Sequence, residues 1–358
     1  MDRSVIDEVS RQHIVALDGL RGVAAISVAL GHFHLGQRAG FFSHAGLAVD
    51  FFLFLSGFVI SLAYQSKLEQ GLSLKDFFIM RIMRLYPMIF VGTIIGISLS
   101  NSDNFIMNET NGGSFVIMRV AFFQFFMIPF ATPNSSFLLN FVFWSLFWEI
   151  FLNALHAVAA RWLSKINVLI IFAAALLGLV SVAAAFDTVF VGFGAGWNFL
   201  AGGVRLGFCY VGGIAMFRFR ARISAIMPKL PFVIVAAGLF ALLAFPFKVD
   251  HPAEGVLMLA LALPIMLALG IVGTDGGFTA RALGTLSYPL YAIHAPIVSF
   301  VQSHVVVASP LPSLPLRVLT FAGLLFVSYV LGRWVDLALV RWLRARKFAN
   351  PLRVKNPS

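Results

Sequence analysis

The chain alternates long apolar runs with short polar punctuation from one end to the other. The apolar segments lie at roughly 13–34, 46–64, 77–99, 115–131, 137–160, 167–186, 198–217, 230–247, 255–274, 284–307 and 315–341. Most approach the ~20 residues that carry an α-helix across a hydrocarbon core of ~30 Å. The pattern predicts an all-α, polytopic membrane bundle. One segment, 115–131, is short, holds Arg119 and Gln124 and breaks at Pro129. It reads as a re-entrant or interfacial helix, which leaves about ten transmembrane helices.

Basic residues give these helices a direction. They cluster at Lys67, Lys75, Arg81 and Arg84, at Arg161 and Lys165, at Arg218, Arg220, Arg222 and Lys229, and in the tail from Arg341 to Lys355. Lys and Arg accumulate on the cytoplasmic side. If 115–131 does not cross, the number of spans between successive clusters is even throughout, so both termini are expected in the cytoplasm. Residues 100–114 and 132–136 then face outward. Residues 1–12 mix acidic and basic side chains, and no small-residue cleavage site follows the first run, so the first helix is expected to be retained. The expected organisation is a cytoplasmic segment at 1–12, one transmembrane domain at 13–345 and a basic cytoplasmic tail at 346–358.

Composition agrees and narrows the classes. Hydrophobic residues make up 60% of the 358 and charged residues 11%, with a mean hydropathy of +0.92. Soluble domains have about 45–50% and 25%. The net charge of +11 is spread as short clusters between apolar runs and forms no basic face, so nucleic acid is excluded as a partner. Cys209 is the single cysteine, which rules out a disulfide framework or a thiolate metal site within one chain. The histidines do not fall in zinc-ligand spacing, and no metal is expected.

Ionisable residues inside apolar segments are costly, about 2.5–3.5 kcal/mol each at a helix centre for Asp, Lys or Arg. In LDGLRGVAAISVALGHFH, Arg21 and His32 are eleven residues apart. Eleven steps of ~100° bring them back to one face with a rise of about 16 Å. Asp18 is one turn before Arg21 and can pair with it. Asp50, in VDFFLFLSGFVIS, is at the outer end of its helix, on the same side as His32, where a carboxylate can orient an imidazole or cap a helix. Ser56 and Gly57 there permit close helix contact.

Arg81 and Arg84 in RIMRLYP form a fork suited to phosphate, or simple cytoplasmic anchors. In FWSLFWEI, Ser145 and Glu149 share a face, and Glu149 is too deep to reach water; it is a structural partner of an arginine, or a proton carrier or ligand. In LGTLSYPLYAIHAPI, Ser287, Tyr288, Tyr291 and His294 lie on one helix that Pro289 and Pro296 distort, freeing backbone carbonyls.

These segments, in this order, resemble the membrane acyltransferase family 3, whose members O-acylate extracytoplasmic glycans and related acceptors. The resemblance spans about residues 14–345. Arg21 and His32 match its Arg, ten residues, His pattern, and Arg81 and Arg84 its Arg-x-x-Arg. It implies a bacterial cytoplasmic-membrane enzyme that takes an acyl group, expected to be acetyl, from cytoplasmic acyl-CoA to a hydroxyl on the far side. By carry-over His32 leads the catalytic set with Arg21, and Asp50 and Glu149 join them. Arg81, Arg84, Tyr288 and His294 are expected to bind the acyl-CoA donor. Some relatives carry a C-terminal esterase-like domain, and here the chain ends soon after the last span.

Two other classes fit a polytopic chain. A proton-coupled secondary transporter would use intramembrane Arg, His and Glu as a relay but calls for two similar halves. The polar motifs instead crowd into 18–149 and recur only at 281–294. A non-enzymatic scaffold gives no reason for so many buried charges. The acceptor stays open between a surface glycan, a lipid-linked saccharide and a small hydroxylated metabolite.

Overall fold

In a computed structural model the chain is described over residues 14–33, 40–100, 113–130, 135–245, 251–306 and 313–336. The expected 1–12 segment, the 346–358 tail and most of the 100–114 loop lie outside these residues. Helices account for every apolar segment of the sequence. They are α1 (Val15–His32), α2 (Leu47–Glu69), α3 (Leu74–Ser100), α4 (Ser114–Phe125), α5 (Phe143–Ala159) and α6 (Lys165–Phe186). Then follow α7 (Trp197–Arg218), the short α8 (Arg220–Ile226) and α9 (Phe232–Ala244). The last three are α10 (Pro252–Val272), α11 (Gly277–Phe300) and α12 (Ser313–Val330).

Eight of the described helices are long and apolar enough to cross a membrane. In lipid every backbone polar group must be satisfied within the segment, which a helix does by construction. The outward surfaces are apolar as well: Ile170 and Leu177 on α6 and Leu319 and Phe326 on α12 are well exposed. That inverts the usual pattern of a water-facing helix.

α11 is 24 residues long but is too rich in Ser, Thr, Tyr and His to register as uniformly apolar. It is nonetheless the centre of the bundle, with its main packing against α1. A methyl at Gly22 would collide with the Leu283 carbonyl, so these helices touch backbone to backbone. α2 and α7 approach in the same way at Gly57 and Gly213. Small residues at such crossings replace the hydrophobic drive that lipid does not supply.

α4 has 12 residues, about 18 Å at 1.5 Å per residue, which is short of the hydrocarbon core. Of its two long polar side chains, Gln124 is turned inward and Arg119 stays exposed. Gln124 is buried, its Oε1 accepts from the Asn140 backbone N–H at 3.1 Å, and the Arg119 guanidinium is 5.5 Å from the centre of the Phe130 ring. α9, with 13 residues, is also short.

The segment expected as a helix from 137 begins its helix only at Phe143. The reason lies on α11. Pro296 has no N–H to offer the carbonyl four residues earlier, and that carbonyl, Ala292 O, accepts from Asn140 Nδ2 at 2.7 Å. The irregular stretch before α5 therefore seals the carbonyl that a proline leaves open.

Candidate active site

A polar cleft runs into the bundle between α1, α2, α3, α5 and α11. Its charged lining is Asp18, Arg21, Arg81, Arg84 and Glu149, with Ser56, Ser145, Ser287, Tyr288 and Tyr291 beside them. Three guanidinium groups against two carboxylates leave one formal positive charge. All the candidate residues from the first, third, fourth and fifth motifs thus meet in one region, except His32 and His294, which stand just beyond Tyr291.

The contacts form a chain. Arg21 Nη2 pairs with Asp18 at 3.2 Å, one turn away as the spacing predicts, and its Nε donates to Ser287 Oγ at 2.9 Å. The Arg84 guanidinium lies 5.2 Å from the centre of the Tyr288 ring, and the Tyr288 hydroxyl donates to the Leu85 carbonyl. Glu149 Oε1 accepts from Ser56 Oγ at 2.9 Å and from Arg81 Nη2 at 3.1 Å. Ser145 and Tyr291 share a 2.6 Å hydrogen bond. Beyond it, the Tyr291 and His294 rings are 5.8 Å apart.

The line ends at an imidazole pair. His32 Nδ1 is 2.9 Å from His294 Nε2, with the rings nearly parallel at 11°. His294 is fully buried, and its Nδ1 faces two carbonyl oxygens, Leu290 O at 3.0 Å and Tyr291 O at 2.9 Å. Carbonyls only accept, so Nδ1 of His294 carries a hydrogen. In the neutral pair His294 Nε2 is then an acceptor, His32 Nδ1 must be the donor, and the lone pair of His32 lies on Nε2. The backbone of α11 thereby sets the tautomer of a side chain on α1. The His32 ring also meets Phe141 edge-on at 5.1 Å, and its backbone carbonyl accepts from Gln302 Nε2 at 2.6 Å.

Two expectations from sequence need correction. Asp50 does not orient His32: its carboxylate is fully buried and held by both Nε and Nη2 of Arg205, with Cys209 Sγ 3.6 Å away. A buried carboxylate goes where a guanidinium satisfies it, and Arg205 also reaches the Val191 and Gly46 carbonyls. Arg81 and Arg84, in turn, do not act as one fork. Arg81 is committed to Glu149, while Arg84 stacks on Tyr288.

Arg205 and Asn140 were missed. Arg205 had a signal, an arginine in the apolar run 198–217 whose cost should have demanded a carboxylate. Asn140 had none, because its role depends on a carbonyl 152 residues away.

The described residues contain no group of three or more His, Cys, Asp or Glu able to hold a metal ion. Comparison with known proteins gives the chain its family. The family described as "Acyltransferase domain" matches residues 14–333. "Protein 2 in picA locus" of Rhizobium radiobacter is 32% identical over 187 residues, covering 48% of this chain and 96% of that protein. "Peptidoglycan O-acetyltransferase OatA" of Listeria monocytogenes is 25% identical over 340 residues, or 84% of this chain; the chain spans 52% of OatA's length. No solved structure matches. With its family match running from the start of α1 into the residues after α12, and an all-α membrane bundle to carry it, the chain belongs to the acyltransferase-3 family of membrane acyltransferases.

Proposed function

We propose that this protein is a membrane O-acyltransferase, with acetyl as its group, that moves the acyl chain from cytoplasmic acyl-CoA to a hydroxyl of an acceptor on the opposite side. The acceptor class is a surface glycan or lipid-linked saccharide, in keeping with the Listeria relative's name as a peptidoglycan O-acetyltransferase. The bundle sits in a bacterial cytoplasmic membrane as one domain over 13–345, with ten crossings, a non-crossing α4 and both termini inside. The observation that carries the reading is the line of polar side chains from Asp18 and Arg21 to the His32–His294 pair, through an otherwise apolar bundle.

In this reading the net positive cleft binds the anionic donor, with Arg84 and Arg21 nearest its phosphates and Arg81 holding Glu149 in place. The acyl arm reaches along α1, where the rise from Arg21 to His32 is about 16 Å. His32 Nε2 takes the proton of the acceptor hydroxyl as its oxygen attacks the thioester carbonyl carbon. The carbon–sulfur bond breaks, and the proton passes to the departing thiolate, so ester and free thiol are the products. His294 holds the reactive tautomer of His32, and its Nε2 lone pair, accepting from His32 Nδ1–H, steadies the imidazolium formed in between. Transfer through an acyl group carried on His32 itself uses the same geometry.

The test is turnover of radiolabelled acetyl-CoA by protein reconstituted in vesicles. His32→Ala and Arg21→Ala are expected to lose transfer while inserting and folding normally. Full transfer by a folded His32→Ala protein would overturn the proposal, and donor-independent proton-coupled uptake by the wild type would point to a transporter. Mass spectrometry of surface glycans and lipids with and without the protein identifies the acceptor.

A further inference from the structure

A second concavity opens on the outside of the bundle between α3, α5 and the residues after α4. Its walls are apolar, built from Phe78, Ile82 and Tyr86 on α3, Phe126 beyond α4, and Ile150 and Phe151 on α5. Ile82, Phe126 and Phe151 are between 43% and 49% exposed, so the groove faces the surroundings of the membrane bundle. Only two strongly polar side chains line it, Arg81 and Asn153.

Both of those side chains present a buried donor with no partner. Arg81 spends Nη2 on Glu149 but leaves Nε unbonded, and Asn153 accepts from the Tyr210 hydroxyl at 2.8 Å through Oδ1 but leaves Nδ2 unbonded. Asn153 is 1% exposed. Buried donors without acceptors cost stability, and water is scarce beside hydrocarbon, so the groove calls for an apolar ligand that brings its own acceptor oxygen. Arg81 and Leu85 line both this groove and the polar cleft. The ligand therefore lies against the back of the Arg81–Glu149 pair.

We infer that the groove is a binding site for one acyl chain of a membrane glycerolipid, whose ester carbonyl accepts from Asn153 Nδ2 and Arg81 Nε. The chain lies among Phe78, Ile82 and Phe151, and the carbonyl caps the two donors at the groove floor. A free hydrocarbon would leave both donors unmet, and a free phosphate would have to desolvate among phenylalanines. The ester-linked chain supplies both the apolar body and the neutral acceptor. The site is present whichever acyl group the cleft handles.

The probe is phosphatidylglycerol with a diazirine on one acyl chain, mixed into phosphatidylethanolamine vesicles that hold the full-length protein. After photolysis, peptide mapping is expected to find adducts concentrated on Phe78, Ile82 and Phe151 over the exposed face of α6 at Ile170 and Leu177. An ether-linked analogue with the same chain lacks the carbonyl, leaves both donors without their acceptor and is expected to label the groove about tenfold less, a change of ~1.4 kcal/mol in all. Ile150→Trp fills the groove while leaving Arg81 and Asn153 themselves in the chain and is expected to remove the excess labelling. Equal adducts on the groove and on α6 would mean ordinary boundary lipid and overturn the inference. So would equal labelling by the ester and ether lipids, which needs no variant to fold.

Discussion

Replacement of Asp50 separates a structural from a chemical role. The carboxylate has no exposed surface, and the Arg205 side chain that grips it is 4% exposed. Asp50→Ala leaves that guanidinium buried with only two carbonyl acceptors, Val191 O at 3.1 Å and Gly46 O at 3.4 Å. Removing one partner of a buried pair costs about 3–5 kcal/mol, because the other charge stays in low dielectric uncompensated. At ~1.4 kcal/mol per decade, that is roughly a 10²- to 10⁴-fold drop in the ratio of folded to unfolded protein.

Asp50→Asn keeps an acceptor of the same size and should cost less. The double variant Asp50→Leu/Arg205→Met removes both charges and should recover much of the loss. The assay is the folded fraction remaining after heating in detergent, read by size-exclusion chromatography beside turnover per folded molecule. Asp50→Ala is expected to melt earlier yet turn over normally when folded. Unchanged thermal stability with lost turnover would refute this reasoning and return Asp50 to the chemistry.

Three further outcomes follow from contacts in the cleft and at the helix crossings. His294→Leu should lower kcat by about 10²- to 10⁴-fold, the usual worth of a poised base, whereas His294→Gln, which offers a donor to the α11 carbonyls and an acceptor to His32, should retain far more; equal rates for the two variants would remove His294 from the relay. Glu149→Gln raises the cleft's formal charge by one and should lower the donor KM in a salt-sensitive way, measured from initial rates against acyl-CoA concentration; a raised KM would show that Arg81 must be neutralised for binding. Gly57→Leu drives a side chain into the Tyr210 backbone and should abolish folded yield, with Gly57→Ala intermediate, as followed by fluorescence-detected size exclusion.

Much of the site was legible along the chain because helices impose their own periodicity. The Asp18–Arg21 pair followed from a three-residue separation, and the Ser145–Glu149 face from a four-residue one. The cost of ionisable groups in lipid also singled out Glu149 and His294 before any contact was known. Where two helices had to be docked, the same reasoning failed. Asp50 and His32 belong to the same end of neighbouring helices, yet depth does not specify rotation, and a guanidinium on α7 faced the carboxylate instead. Arg81 and Arg84 are one turn apart, yet each followed the partner that its own side of α3 met.

The amino-acid sequence by itself determined that this chain is a membrane bundle of helices, where those helices lie and which residues are too expensive to be there without purpose. Those properties depend on hydrophobic length and on the price of charge in hydrocarbon, both local quantities. Only the tertiary structure decided who partners whom. It matched His32 with His294 across 262 residues, Asp50 with Arg205 across 155, and Asn140 with the carbonyl that Pro296 cannot satisfy. Such pairings depend on the rotation and crossing of packed helices, which arise from close contacts such as Gly22 on Leu283 and Gly57 on Tyr210, and no local pattern encodes them.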